Sequence, residues 1–501
     1  MLTLHSPAFA HFDDPKVAEG LRKYLSYTDK SVNFELQKAK KGLRYSNSAA
    51  LQARIAELTA KAHQTLLFKD DKGTYTYAGL AKTILEKLGL SFPEALGVDY
   101  LRPLPTPMKW DQEPEHPDRE YQTEAVQKLL EAAKNGPASI SCATGLGKSR
   151  IIMNSIRELG LPAVVMAPSV SIARQIYSDL QKYLGKNRVG LVGDGQKDFK
   201  KMVVVGIADS LTRIKPDSPA WRALSKKPVF WIDESHLVAA RTLKSVAHGL
   251  MGAAPWRFSC SGTQERNDGL DLVLEGIIGP VVLEKTVREG VDEGYLARPY
   301  FRMVQVPANG GYYSSDANSM TRHHLFYNDA VNQQAADIAN KAVSAMKRPT
   351  LILVDEIEQF SRLLPHFKHV AKFAHGPLTK ENEHFVPEEY RTDNPRDLVD
   401  RFNRGEIPIL VGTNCVSTGT NFTVPAMGIY LAGGKSRIKV KQSLGRMTRC
   451  GYRGTVQNPW TGIRKDDAIW VDFCVDVEIL EKHAKERVKI YNEVYGPVEW
   501  V

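Results

Sequence analysis

Short, continuous apolar runs alternate along the chain with stretches in which apolar positions recur every three or four residues. From residue 138 to 262 the runs are ASISC, AVVMAP, MVVVGIA, PVFWID and FSCSG. Strands that are apolar throughout, rather than at alternate positions, fit a parallel sheet covered by helices on both faces. The pattern returns between residues 349 and 474 as PTLILVDE, VAKFAH, IPILVGTN, MGIYLAG and AIWVDFC, after a connecting region at about 300–345. It predicts an α/β protein with two parallel-sheet lobes in tandem, each expected to present ligands with the carboxyl ends of its strands.

Residues 1–110 read differently. SVNFELQKAKKGLRY and QTLLFKDDKGTYTYAGL predict strands, the second bent at Lys72-Gly73, and NSAALQARIAELTAKAH between them predicts a helix. The result is a small α+β module. The proline-punctuated RPLPTPMKWDQEPEHPD that follows disfavours regular structure by removing N–H donors and fixing φ. The expected domains are 1–110, 111–300 and 301–501, in keeping with about three domains for 501 residues.

A composition of 43% hydrophobic and 25% charged residues is that of a folded globular protein. No apolar stretch approaches the roughly 18 residues of a membrane span, and MLTLHSPAFAHFDDPK lacks the basic and apolar regions of a secretory signal. The expectation is a cytoplasmic protein without membrane contact. The five cysteines lie far apart with no CxxC pair, which fits neither a disulfide framework nor a cysteine zinc site. The net charge is +10, and from Ile407 to Lys465 there are nine basic residues and no Asp or Glu. Such a stretch is either a solvated basic face or a surface for a polyanion.

The chemistry begins at ISCATGLGKSRII. Gly145 and Gly147 permit positive φ and expose backbone N–H groups, Lys148 adds a cation and Ser149 a hydroxyl. With ASISC as a strand and KSRIIMNSIREL as a helix, whose Ile152, Ile156 and Leu159 share a face, the helix N-terminus points at the ligand and favours an anion. This is a P-loop, with Cys142 at the opening position usually held by Gly or Ala. A P-loop needs one carboxylate for Mg²⁺ and another to orient water; VFWIDESH supplies Asp233 and Glu234 directly after an apolar strand.

CATGLGKS together with DESH resembles the DExH class of superfamily 2 helicases, and further motifs follow in that family's order. REYQ resembles the adenine-reading motif, MAPSVSIARQ and GIADSL the DNA-contacting segments of the first lobe, and SGT the motif coupling hydrolysis to movement. VGTNCVSTGTNF and QSLGRMTR resemble motifs V and VI, with Asn421 and Ser443 standing where Asp and Arg are more frequent. The resemblance spans residues 119–449 and implies two RecA-like lobes that bind ATP and Mg²⁺. It implies hydrolysis by Lys148, Asp233, Glu234, Gln442, Arg446 and Arg449. Nucleotide binding falls to Arg119, Gln122, Thr144, Gly145, Gly147, Lys148 and Ser149, with Ser149 and Asp233 on the metal. Pro168, Ser169, Ser210 and Thr413 fall on nucleic-acid contacts, and His236, Ser261, Thr263 and Gly419 on coupling. Because Arg446 and Arg449 belong to the second lobe, closure of the lobes is expected to gate hydrolysis.

DLVLEGIIGPVV through TVREGVDEGYLARPYF, and the tail AIWVDFCVDVEILEKHAKERVKIYNEVYG, are similar to UvsW-type phage branch-migration helicases and related restriction translocases and XPB-like proteins. That family uses a small N-terminal domain on DNA, a role that Lys38 and Lys41 in QKAKKGLRY would serve here. The expected partner is duplex or branched DNA, with single-stranded DNA also considered and RNA ranked behind. The expected state is a monomer, and the outcome annealing, regression or branch migration. The rivals are a DNA or RNA translocase that separates no strands and an architectural DNA binder with a vestigial ATP site. His366, His369 and His375 lack the carboxylate or cysteine that would complete a zinc site. His323 and His324 are expected at the surface, and Tyr312, Tyr313, Phe326 and Tyr327 in packing rather than in base stacking.

Overall fold

A computed structural model describes residues 2–43, 48–262, 269–392, 394–413, 422–451 and 454–501. The chain forms two compact units, one of Met1–Cys142 with Lys148–Glu284, the other of Ala143–Gly147 with Lys285–Val501.

Among its described residues the first unit holds two principal sheets. The larger has eight strands in the order Gln196–Lys197, Val189–Gly193, Val203–Ile207, Ala163–Ala167, Val229–Asp233, Trp256–Ser261, Ala138–Cys142 and Val281–Lys285. From Val189–Gly193 to Ala138–Cys142 every pairing is parallel. Every residue of the runs at 163–167, 203–207 and 229–233 is buried, as double-sided covering requires.

The N-terminal module builds a five-stranded sheet, ordered Phe68–Asp70, Gly73–Tyr77, Phe9–Phe12, Leu2–Leu4 and Leu96–Val98. A short ladder, Ser26–Thr28 against His63–Thr65, stands beside it and carries a helical hairpin, Lys30–Gly42 and Ala49–Ala62. This corrects the strand expected over SVNFELQKAKKGLRY. Asp29 caps the first helix by accepting from the Ser31 and Val32 N–H groups, and Val32, Leu36 and Ala39 recur at helical spacing to meet Ile55, Leu58 and Ala62. The strand expected around Lys72-Gly73 forms as the antiparallel pair Phe68–Asp70 and Gly73–Tyr77.

The module shares one core with the larger sheet's outer helices; Leu4, Tyr77, Leu80 and Ile84 belong to the same cluster as Phe230, Leu250 and Leu274. Gly79 makes the closest approach. A β-carbon there would sit 2.3 Å from the Glu275 carbonyl oxygen, so only glycine fits.

Among the described residues, the second unit contains seven parallel strands, ordered Ala371–Ala374, Ile409–Gly412, Thr350–Leu353, Met427–Tyr430, Asp467–Val475, Arg298–Val306 and Val498–Trp500. The region expected as a connector thus contributes a long strand and the helix Asp329–Ser344. Across the sheet lies the C-terminal helix Glu478–Val494. Its Arg487, buried, holds buried Asp472 through Nε at 2.7 Å and Nη2 at 2.9 Å, and donates from Nη1 to the Gly434 carbonyl at 2.6 Å. The Tyr491 hydroxyl donates to the same carboxylate at 2.8 Å.

Two expectations fail here. His324 is 2% exposed: its Nδ1 accepts from the Asn309 N–H and its Nε2 donates to the Tyr312 carbonyl, because the chain at 309–312 folds back over it. Tyr313, expected in packing, is 85% exposed, whereas Phe326 is in the core.

Candidate nucleotide and nucleic-acid site

Three adjacent strands of the first unit, Val229–Asp233, Trp256–Ser261 and Ala138–Cys142, end at the same edge of the sheet. The last runs into the loop of residues 143–147 and the helix Lys148–Leu159. Gly145 has φ +92° and Gly147 φ +81°, conformations closed to most side-chain-bearing residues, so the turn depends on those glycines.

Lys148 opens the helix and its Nζ lies 2.5 Å from Glu234 Oε1. Glu234 follows the strand in a left-handed conformation, φ 46° and ψ 49°, which turns its side chain back over the strand end. A non-glycine residue held there stores backbone strain of about 1–3 kcal/mol, a feature that clusters at active sites. Burial draws the Lys148 ammonium down, but the charges of Glu234 and Asp233 outweigh it and hold the pKa above that of an ordinary lysine. Burial pushes Glu234 up, while Lys148 and His236 more than offset it and keep the carboxyl below its usual value. Asp233 differs. Its pKa is pushed up to about 6 by burial and by the charge of Glu234, against the pull of Lys148.

In register with Asp233 on the next strand is Cys260, whose thiol donates to Asp233 Oδ1 at 3.1 Å. His236 Nδ1 and Ser261 Oγ are hydrogen-bonded, and the Gly262 N–H donates to Glu234 Oε2 at 3.4 Å. The DESH turn is thus tied to the end of the neighbouring strand. Sequence inspection missed Cys260, because strand neighbours in a parallel sheet are set by topology and leave no local mark.

Ser149 and Asp233 would supply a hydroxyl and a carboxylate. Both are hard oxygen donors, and Mg²⁺ fills its remaining positions with water and phosphate oxygens, so the donor set fits that ion. Arg119 caps the helix Glu120–Ala132 and its N–H donates to Gln122 Oε1 at 3.0 Å; its guanidinium also donates to the Tyr121 hydroxyl at 3.0 Å. Pro168 and Ser169 follow Ala163–Ala167, and Ser210 lies just beyond the adjacent Val203–Ile207, so the three gather at one sheet edge.

In the second unit Thr413 follows the strand Ile409–Gly412, its N–H donating to the Ala374 carbonyl at 3.2 Å. The helix Arg437–Met447 carries Gln442 and Arg446 one turn apart, and Arg449 follows at the next turn's spacing. Arg446 is buried with its guanidinium 5.9 Å from the Phe422 ring centre. Thr263 and Gly419 lie outside the described residues.

The acid-free stretch is less bare than its composition. Lys439 pairs with Asp355 at 2.5 Å, Arg437 with Glu493 and Arg464 with Asp466. Lys465 is 5% exposed and donates to the Thr423 carbonyl at 3.0 Å.

The helical hairpin offers a different surface. Lys30, Phe34, Lys38 and Lys41 recur at helical spacing on the face opposite Val32, Leu36 and Ala39, and all four are exposed, Phe34 to 73%. Read as a strand, the segment puts Lys41 on the face opposite Phe34 and Lys38, and only the helix gathers Lys30, Phe34, Lys38 and Lys41 into one stripe.

Residues 115–266 match the family model described as type III restriction enzyme, res subunit. The DNA 3'-5' translocase XPB2 of Sulfurisphaera tokodaii is 23% identical over 357 residues, 66% of this chain and 78% of that protein. Among solved structures, a fragment of a putative HsdR subunit of a type I restriction enzyme from Vibrio vulnificus YJ016 aligns with TM-score 0.52 at 15% identity, over 77% of this chain and 69% of that one. T4 UvsW aligns over 100% of this chain and 99% of its own, with TM-score 0.43 and 15% identity.

Proposed function

Because the chain belongs to the superfamily 2 helicases and translocases, we propose that it couples ATP hydrolysis to movement on duplex or branched DNA, with annealing, regression or branch migration as the outcome. The observation that carries this reading is the half-buried Lys148–Glu234 pair, 2.5 Å long, at the end of a P-loop strand with buried Asp233 beside it. In this arrangement the ammonium rests on the carboxylate that the reaction needs. A triphosphate competes for Lys148, and Glu234, once released, is free to orient the attacking water and accept its proton. Ser149 and Asp233 would hold Mg²⁺, which when bound offsets charge on the phosphates.

Arg446 and Arg449 are proposed to supply the cationic groups for the transition state, a contribution worth about 10³- to 10⁵-fold where an arginine finger has been removed, with Gln442 as a neutral hydrogen-bonding group. DNA is preferred to RNA because the relative aligned over 66% of this chain is named a DNA translocase. The exposed stripe of Lys30, Phe34, Lys38 and Lys41 would take phosphates and, through Phe34, an unpaired base at a branch.

Lys148→Ala tests the division of labour. Turnover should vanish while affinity for branched DNA stays within about twofold, since the phosphates of DNA are held elsewhere. Parallel loss of both in anisotropy titrations would contradict it. A strand-displacement assay on forked and four-way DNA separates remodelling from translocation alone.

A further inference from the structure

The segment from Gly269 through the helix Asp271–Ile278 touches both the N-terminal module and the catalytic turn. At its entry Gly269, φ +77°, lies against the base of the hairpin; a β-carbon there would sit 2.8 Å from the Thr28 carbonyl oxygen and 3.1 Å from Lys30 Cγ. Lys30 therefore lays its stem on Gly269 while its side chain heads the basic stripe. Farther along, the Thr83 hydroxyl donates to Glu275 Oε1 at 2.5 Å, and Gly276 admits the Tyr77 ring where a β-carbon would come within 2.8 Å of it. The helix also packs on the turn Ser235–Leu237. That turn holds His236, the partner of Ser261 and neighbour of Glu234 at 3.5 Å.

We propose that Gly269 and the helix Asp271–Ile278 form a positioning element that transmits occupation of the hairpin by nucleic-acid phosphates to Glu234 through His236. The inference rests on the functional reading above. A phosphate that draws the Lys30 ammonium outward lifts its stem from Gly269, and the entry to the helix is released from one of its contacts. Because the helix is clamped by Thr83, Tyr77 and the Gly79 close approach, the released motion is directed toward the turn at Ser235–Leu237. A ligand shifts such an equilibrium only by its differential interaction with the two states, and the Lys30 contact supplies that difference.

The test uses the full chain, ATP and a blunt DNA duplex as probe. Gly269→Ala strains the backbone and drives a methyl into the Thr28 carbonyl; Thr83→Val removes the hydrogen bond to Glu275 without changing shape. In each variant the DNA-stimulated increment of kcat should fall about tenfold, within the usual range of coupling between sites. Turnover without DNA, and duplex affinity without nucleotide, should stay within about twofold of the unaltered chain. Should Gly269→Ala fail to fold, Thr83→Val decides alone. Undiminished stimulation in the variants overturns the inference, as does equal loss of basal and stimulated turnover, which would mark the segment as structural only. Absence of stimulation in the unaltered chain would instead sink the functional reading, and the inference with it.

Discussion

Glu234 holds Lys148 in a charge pair that, on the proposed function, a nucleotide has to break. Replacing it with Gln removes the charge but keeps the size, so Lys148 is freed for phosphates as the water-orienting group is lost. Glu234→Gln should therefore lower kcat by about 10²- to 10⁴-fold and at the same time tighten ATP binding, measured with a fluorescent analogue. Weaker binding would show that the pair does not compete with nucleotide. Lys465 illustrates a second residue-scale effect. Burial lowers its pKa to about 7, whereas the unfolded chain has an ordinary lysine. Between about pH 7 and 10 the unfolded state then binds more protons, so stability rises with pH in that window and the penalty is greatest below it. Lys465→Met should stabilise the protein near pH 7 by on the order of a few kcal/mol, with the gain shrinking toward pH 10. Denaturant midpoints at several pH values check this, and a gain independent of pH would count against it.

At the scale of elements, the hairpin's proposed role in nucleic-acid binding divides into two kinds of contact. Lys38→Ala should reduce the slope of log affinity against log salt by about 0.9, the release of one phosphate's counterion. Phe34→Ala should leave that slope alone and weaken binding to branched DNA by about 1–3 kcal/mol, with little effect on a blunt duplex. Equal effects on both substrates would remove the stacking role. The same hairpin shows where the sequence was legible. The ten apolar runs and the P-loop helix were visible because full burial of a parallel strand and the glycine turn leave local marks. The Lys30–Gly42 helix was not, since its inward face is narrow, Val32, Leu36 and Ala39, and its cap at Asp29 falls just before the stretch that was read. Pairings such as Asp233 with Cys260, and the neutralisation of Arg437 by Glu493, join residues remote in the chain. No local window contains them.

Across the whole molecule, the two units have separate cores, and the buried Arg487–Asp472 pair belongs to the second alone. Arg487→Met leaves Asp472 buried without its cation, a loss of about 3–5 kcal/mol. Calorimetry should show one transition lowered by on the order of 10 °C and another unmoved; a common shift of all transitions would mean that the units melt together. The sheet of that unit has one further consequence. Arg298–Val306 pairs along its full length with Asp467–Val475, so during synthesis on the ribosome the earlier strand waits, unpaired on that side, until the later one has emerged. The first unit's parallel strands have by then all been translated. Folding of the nascent chain should accordingly be staggered, with the second unit the more exposed to chaperones and to aggregation.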